Sequence, residues 1–207
     1  MAFGMYGSNS KNYGDGFTTM YGANHEDIAY SYRTGNHGDG SWYSINGNID
    51  YQRTSRKNKQ RMITFSYKIN TQPQTSNSNT GYEDIHAKEE VDDLVKRLLL
   101  KNSQSDGKTN TMEQTFQVDY TTPIGELHTV EAGAKYIFRC NTSDNKLYEA
   151  AGGSDDYLYN EDRSSDYRHL NHILAAYLGY TLKYKDFTFK PGVRYEQTVQ
   201  RVKYIVG

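Results

Sequence analysis

The sequence predicts an all-β fold: a segment of a transmembrane antiparallel up-and-down β-barrel, with about six clear strands, or eight if the first forty residues supply two more. Three observations carry this. Long runs alternate apolar and polar residues with a period of two, which gives each strand one greasy and one wet face. The runs pair into three hairpins whose connections alternate short and long, as short periplasmic turns and long extracellular loops do. Tyrosines, 20 of the 207 residues, recur near the ends of the runs, where amphipathic rings sit at the headgroup level of a bilayer.

Composition narrows the class further. Only 35% of the residues are AVILMFWYC and the mean hydropathy is −0.90, too polar for an ordinary soluble core. Disordered chains lack aromatics, however, and this one has 14%. A formal charge of −1 supplies no basic stripe for nucleic acid. The single cysteine, Cys140, excludes an internal disulfide and a zinc site built on several thiolates. No apolar stretch reaches the roughly 18 residues of a transmembrane helix. No signal-type segment follows Met1, as expected of a mature form or a fragment if the protein is exported.

The elements follow in chain order. Residues 1–40 are rich in glycine and asparagine and are the least defined. Ile28, Tyr30 and Tyr32 alternate with Ala29, Ser31 and Arg33 in a short strand, 17–21 is read as another, and 36–40 carries turn chemistry. The first hairpin places Tyr43, Ile45, Gly47, Ile49 and Tyr51 on one face, turns over 54–60, and returns through Ile63, Phe65, Tyr67 and Ile69. A long polar loop, 71–109, comes next. Within it Ile85, Val91, Leu94, Val95, Leu98 and Leu99 are near helical spacing, with Glu89, Glu90, Asp92 and Asp93 early and Lys96, Arg97 and Lys101 late. That charge order suits a helix dipole and predicts an amphipathic helix over 83–100.

The second hairpin runs through Phe116, Val118 and Tyr120, turns at 122–126, and returns through Val130, Ala132, Ala134, Tyr136 and Phe138. An acidic loop, 141–166, follows. The third hairpin is the clearest: Leu174, Ala176, Leu178, Tyr180 and Leu182, a turn at Tyr184, Lys185 and Asp186, then Phe187, Phe189, Pro191, Val193 and Tyr195. Five outward residues on a strand tilted by roughly 40° cover roughly 20 Å of height, against an apolar band of roughly 25 Å. A soluble β-sandwich also alternates, but its strands usually run to about five or six residues, half the length of these.

Several strings resemble the outer-membrane barrel region of TonB-dependent receptors from Bacteroidota. They are Asn48, Ile49, Asp50, Tyr51, Gln52 and Arg53 at a strand end; Phe116, Gln117, Val118, Asp119, Tyr120, Thr121, Thr122 and Pro123 into a short turn; and the return from Glu131 through Ala132, Gly133, Ala134 and Lys135 to Arg139. The longest starts at Ile173, passes through Tyr177 to Leu182, and resumes from Phe189 to Glu196. The resemblance spans roughly 40–198. It implies a large barrel embedded in the outer-membrane bilayer, with a plug domain and a TonB-contacting segment in an N-terminal part not recognisable here. Six to eight strands fall short of the twenty-two of such a barrel, and the final Ile205, Val206 and Gly207 lack the closing aromatic. An internal piece of a receptor is therefore expected.

No enzyme motif is found: catalytic, metal-binding and cofactor-binding residues are all expected to be none, and substrate-binding residues are not assignable. His169 and His172 lie three apart, on opposite faces of a strand. Asp144, Glu149, Asp155, Asp156, Glu161, Asp162 and Asp166, with Lys146 and Arg163, fit no EF-hand spacing and are read as a solvated extracellular loop. Ser, His and Asp are present without a nucleophile elbow or triad order. Cys140 is read as a bystander where the second hairpin leaves the membrane band. Gly47, Gly133, Gly179 and Gly192 permit bends or close approach in a curved wall. Glu131, Lys135, Lys183, Arg194 and Glu196 face the lumen, where a plug, a transport path or other wall residues are equally open as partners.

The expected function is that of wall and extracellular loops of a TonB-dependent receptor importing an unidentified nutrient, with no nucleic-acid partner. Two alternatives stay open: a small standalone outer-membrane barrel with an adhesive or structural role, and a soluble β-sandwich binding module.

Overall fold

The computed structural model describes residues 1–22, 27–89 and 92–205. Glu90, Val91, Val206 and Gly207 lie outside the described residues, as do the side chains of Leu98 and Leu99. Among the described residues nine strands form one antiparallel sheet: β1 (Ala2–Tyr21), β2 (Ile28–Thr54), β3 (Met62–Ala87), β4 (Lys101–Ile124), β5 (His128–Ala151), β6 (Leu158–Tyr159), β7 (Ser165–Tyr184), β8 (Phe187–Phe189) and β9 (Gly192–Tyr204). Each long strand pairs with its sequence neighbours. The short β6 adds to β5, and β8 and β9 together form the strand beside β7. The sheet does not close: β1 lies at one edge and β8 and β9 at the other. All described strands belong to one layer, whereas a sandwich needs two.

Register explains why the faces stay separate. Ile49 stands beside Tyr67, Tyr67 beside Phe116, Phe116 beside Tyr136, and Tyr136 beside Leu174. Leu178 stands between Ala132 and Val193 in the same parity. A slip of one residue in any pair inverts that strand's faces. Pro191 falls in the break between β8 and β9, yet the register on β7 is the same on either side, Leu182 beside Phe189 and Gly179 beside Gly192, and Tyr180 donates its N–H to the Pro191 carbonyl across the break.

The apolar face is not covered by protein. Leu178 is 52% and Val193 66% exposed, with Phe65, Phe116, Tyr195 and Phe189 comparably open. Among the described residues the buried hydrophobic side chains are only Val95, Leu100, Cys140, Ala150 and Ala175. A sheet with this much uncovered apolar surface finds its solvent in lipid.

The strands run farther than the sequence pattern indicates. A strand of 24 residues, such as β4 or β5, climbs roughly 60 Å at a 40° tilt, more than twice the apolar band. The expected loop 71–109 is strand for most of its length: β3 continues to Ala87 and β4 begins at Lys101, with pairs from Thr71 beside Met112 up to Thr80 beside Ser103. The expected loop 141–166 likewise contains the upper part of β5 to Ala151 and the start of β7 at Ser165. In the first forty residues the glycine-rich stretch 36–40, expected as a turn, lies inside β2, laddered on both sides to β1 and β3. Gly40 eases the close approach there, since a Cβ would lie 3.0 Å from the Thr75 carbonyl oxygen and β3 would have to give by a few tenths of an ångström. The expected short strand at 28–33 is the top of β2, and 17–21 is the end of β1.

The helix expected over 83–100 shrinks to α1 (Asp92–Leu94) and one π-helical turn (Val95–Leu99). Pairing of His86 with Ser31 and Ala87 with Tyr30 holds the preceding residues extended. The register shift there coincides with Asp84 at φ 50°, a left-handed conformation that a short polar side chain tolerates. The charges still pair at helical spacing, Lys96 with Asp92 at 2.9 Å and Arg97 with Asp93 at 2.8 Å, but Lys101 turns to Glu149 instead.

Arginine at Leu178 is expected to destabilise the membrane-inserted protein by about 2–4 kcal/mol, the cost of a lipid-facing charge near the midplane. Arginine at Thr64, on the opposite face beside Asp119, is expected to change it by less than about 1 kcal/mol. Urea unfolding of the two variants in lipid vesicles measures the difference.

Candidate functional site

The polar face of the wall and the rim above the apolar band are where the fold concentrates its polar chemistry. On the polar face one row crosses three strands: Asp119 on β4, Gly133 on β5 and Tyr177 on β7. The Tyr177 hydroxyl donates to Asp119 Oδ1 at 2.6 Å, and Gln117 Nε2 donates to Asp119 Oδ2 at 2.8 Å. The tyrosine reaches across because Gly133 has no side chain. A Cβ there would fall inside contact distance of the Tyr177 ring and 2.7 Å from Asp119 Oδ1. Of the uses anticipated for strand glycines, close approach is the one at work at this position.

The lumen-facing charges mostly meet other wall residues. Glu131 leans over Gly179 and pairs with Lys190 at 3.0 Å, Arg194 pairs with Glu196, and Arg139 pairs with Glu113. Lys135 and Lys183 form no ion pair among the described residues. Higher on the same face, Asn141 Oδ1, His169 Nε2 and Asn171 Oδ1 are buried with no hydrogen-bond partner among the described residues. Asn141 stands directly beside His169 in the ladder. Three such atoms in one patch mark where the wall's own bonding runs out.

His172, by contrast, lies on the apolar face beside Phe138, with Nδ1 2.7 Å from the Tyr136 hydroxyl. The two histidines therefore stand on opposite faces of β7, as strand alternation requires. Cys140 is buried between Met112 and Leu170.

At the rim β3 and β4 part above Thr80 and Ser103, and the segment after β5 bridges the gap. Asn102 Oδ1 accepts the Tyr82 N–H, Asn102 Nδ2 donates to the Ser154 carbonyl, and the Gly153 N–H reaches the Tyr82 carbonyl. Beneath this seam Val95, Leu100 and Ala150 are buried. Glu149, only 11% exposed at its side chain, anchors the strap: Asn160 Nδ2 donates to it at 2.7 Å, and Arg163 and Lys101 pair with it. The Asn160 hydrogen bond first, then the Lys101 and Arg163 charges, hold its carboxyl below the ordinary glutamate value of 4.5, against the opposing effect of burial. Burial, helped by Asp155, pushes the Tyr157 phenol up.

The acidic loop is thus partly built in: Glu149 is structural, where sequence pattern grouped it with solvated carboxylates. The Asp119, Gly133 and Tyr177 row was also missed. Its one sequence signal is a tyrosine in the polar phase of a strand whose other phase is already apolar.

A model of the outer membrane protein beta-barrel family matches residues 54–205. No curated protein sequence matches the chain. Among solved structures, the crystal structure of the ferric citrate transporter FecA in the unliganded form aligns with 99% of this chain at 12% identity and a TM-score of 0.34. The alignment covers 38% of that transporter's chain.

Two outcomes are expected. Valine at Gly133 displaces the Tyr177 ring and lowers stability by about 1–3 kcal/mol, read as loss of the compact band at lower temperature in heat-modifiability gels. For Glu149 the lowered value means the strap is held above pH 4.5 and released as the pH falls through the folded value. Hydrogen exchange over 152–164, corrected for intrinsic rates, should therefore rise in acid in the native protein. In E149Q it should already be raised at pH 7 and no longer respond to acid.

Proposed function

Because the chain belongs to the outer membrane protein β-barrel family, and so resides in the outer membrane, we propose that it is a stretch of wall and rim from a TonB-dependent uptake receptor. Further strands, a plug and a TonB-contacting segment outside this chain complete the receptor. The observation that carries the reading is the pairing of an in-register apolar face with strands that climb to more than twice the height of the apolar band. Such a wall raises a polar rim above the membrane, where a scarce nutrient is captured before it passes inward.

Two features support the remaining parts. The edges at β1 and at β8 and β9 need further strands, because an open edge in lipid leaves backbone groups unsatisfied. Lys135 and Lys183, on the polar face and in no ion pair among the described residues, suit a plug packed inside the wall. In such a receptor the rim holds the ligand, and force from TonB on the plug opens the passage beside these residues.

The test places a photo-crosslinking side chain at Lys135 or Lys183 in the full-length protein in cells. Cross-links to an N-terminal segment of the same protein are expected, with none from Leu178, which should label lipid. Absence of the internal cross-link, together with steady ion conductance of the purified protein in planar bilayers, identifies an open pore and overturns the reading.

A further inference from the structure

Trp42 is the only tryptophan of the chain, and it stands on the wrong face for a membrane anchor. Its strand keeps Tyr43, Ile45, Ile49 and Tyr51 in the apolar phase, whereas Trp42 belongs to the other phase with Ser44, Asn46 and Asp50. A ring at this height, just where the outer face turns from Tyr43 to Ser41, ordinarily lies in the headgroup layer. Here it points inward.

Trp42 meets Tyr6 of β1 edge to face, with ring centroids 5.7 Å apart and planes at 84°. Each ring fixes the other's orientation, and both keep open surface, Trp42 at 44% and Tyr6 at 57% exposure. Around them Gln72 and Gln74 of β3 and Thr109 and Thr111 of β4 line a recess of about 200 Å³, with Ser44, 2% exposed, also lining it. Gln74 stands beside both Trp42 and Thr109, and Gln72 beside Thr111, so the ladder sets the amides between the rings and the hydroxyls. Among the described residues no charged side chain lines the recess.

We propose that this recess is a subsite for a neutral carbohydrate. The C–H face of a pyranose carries partial positive charge and apolar surface that suit the electron-rich face of an aromatic ring. Its hydroxyls each donate and accept, which the paired donor and acceptor groups of glutamine and threonine match without a net charge. The recess is smaller than the roughly 300–1,000 Å³ of a pocket that encloses a whole ligand, so it seats one ring of a longer oligosaccharide lying along the wall. An anionic or ferric ligand would find no counter-charge there. The proposal rests on the uptake-receptor reading only in that the polar face lines the passage. Binding at equilibrium needs neither TonB nor energy.

The experiment uses the full-length protein in lipid nanodiscs and measures retention of maltohexaose, cellohexaose and chitohexaose by equilibrium dialysis. At least one of the three is expected to bind. W42A is expected to weaken that binding about tenfold, W42F to keep most of it, and the Q74A and T109A pair to weaken it without touching either ring. No retention of any of the three sugars overturns the proposal, as does retention unchanged in W42A. Cross-linking of a photo-probe at position 42 to another segment of the protein, insensitive to sugar, likewise overturns it and assigns the recess to packing. Binding that persists while energised uptake fails speaks against the transport function alone.

Discussion

Everything in this wall depends on the unbroken antiparallel backbone ladder. In lipid no water is available for an unpaired N–H or C=O, so pairing must be continuous through the bilayer, and continuity locks the phase of the side chains. From Ile49 to Leu174 the apolar residues fall beside one another across five strands because no extra residue enters the ladder in between. The two irregularities of the ladder among the described residues, between Met20 and Tyr21 and between Ser31 and Arg33, lie at the far end from the short turns, where water can satisfy what the ladder drops.

With lipid as the apolar solvent, the chain needs little core of its own. Its interior work is done by polar pairing instead. Tyr177 lies over Gly133 to reach Asp119, and Glu131 lies over Gly179 to reach Lys190. Both contacts use a glycine as the gap through which a long side chain crosses a neighbouring strand. The small apolar cluster of Val95, Leu100 and Ala150 forms only at the rim, where strands part and water replaces lipid, and there Glu149 ties the covering strap down.

How much was legible follows from this division. The membrane halves of the six strands from Tyr43 to Tyr195 were readable residue by residue, since lipid on one side and the interior on the other impose alternation on the sequence. The upper halves were not. In 71–80 and 101–111 both faces meet water or polar neighbours, so nothing in the order of Thr, Gln, Ser and Asn distinguishes a laddered strand from a loop. The glycines of 36–40 misled for the same reason: turn chemistry is a local preference, and two flanking strands overrule it. The helix over 83–100 was overread because spacing records where apolar residues fall, not whether β2 already holds the segment extended.

The site residues divide the same way. Opposite placement of His169 and His172 follows from strand period alone, whereas the role of Glu149, the Tyr177 crossing and the meeting of Trp42 with Tyr6 each depend on partners 11 or more positions away. By itself the sequence determined the strand phase, the hairpin order and the face each membrane residue presents, because those follow from a period of two against a two-sided environment. Only the tertiary structure decided strand length above the bilayer, the open edges and which polar side chains meet. Those depend on register between distant segments, and register is set by the whole ladder at once.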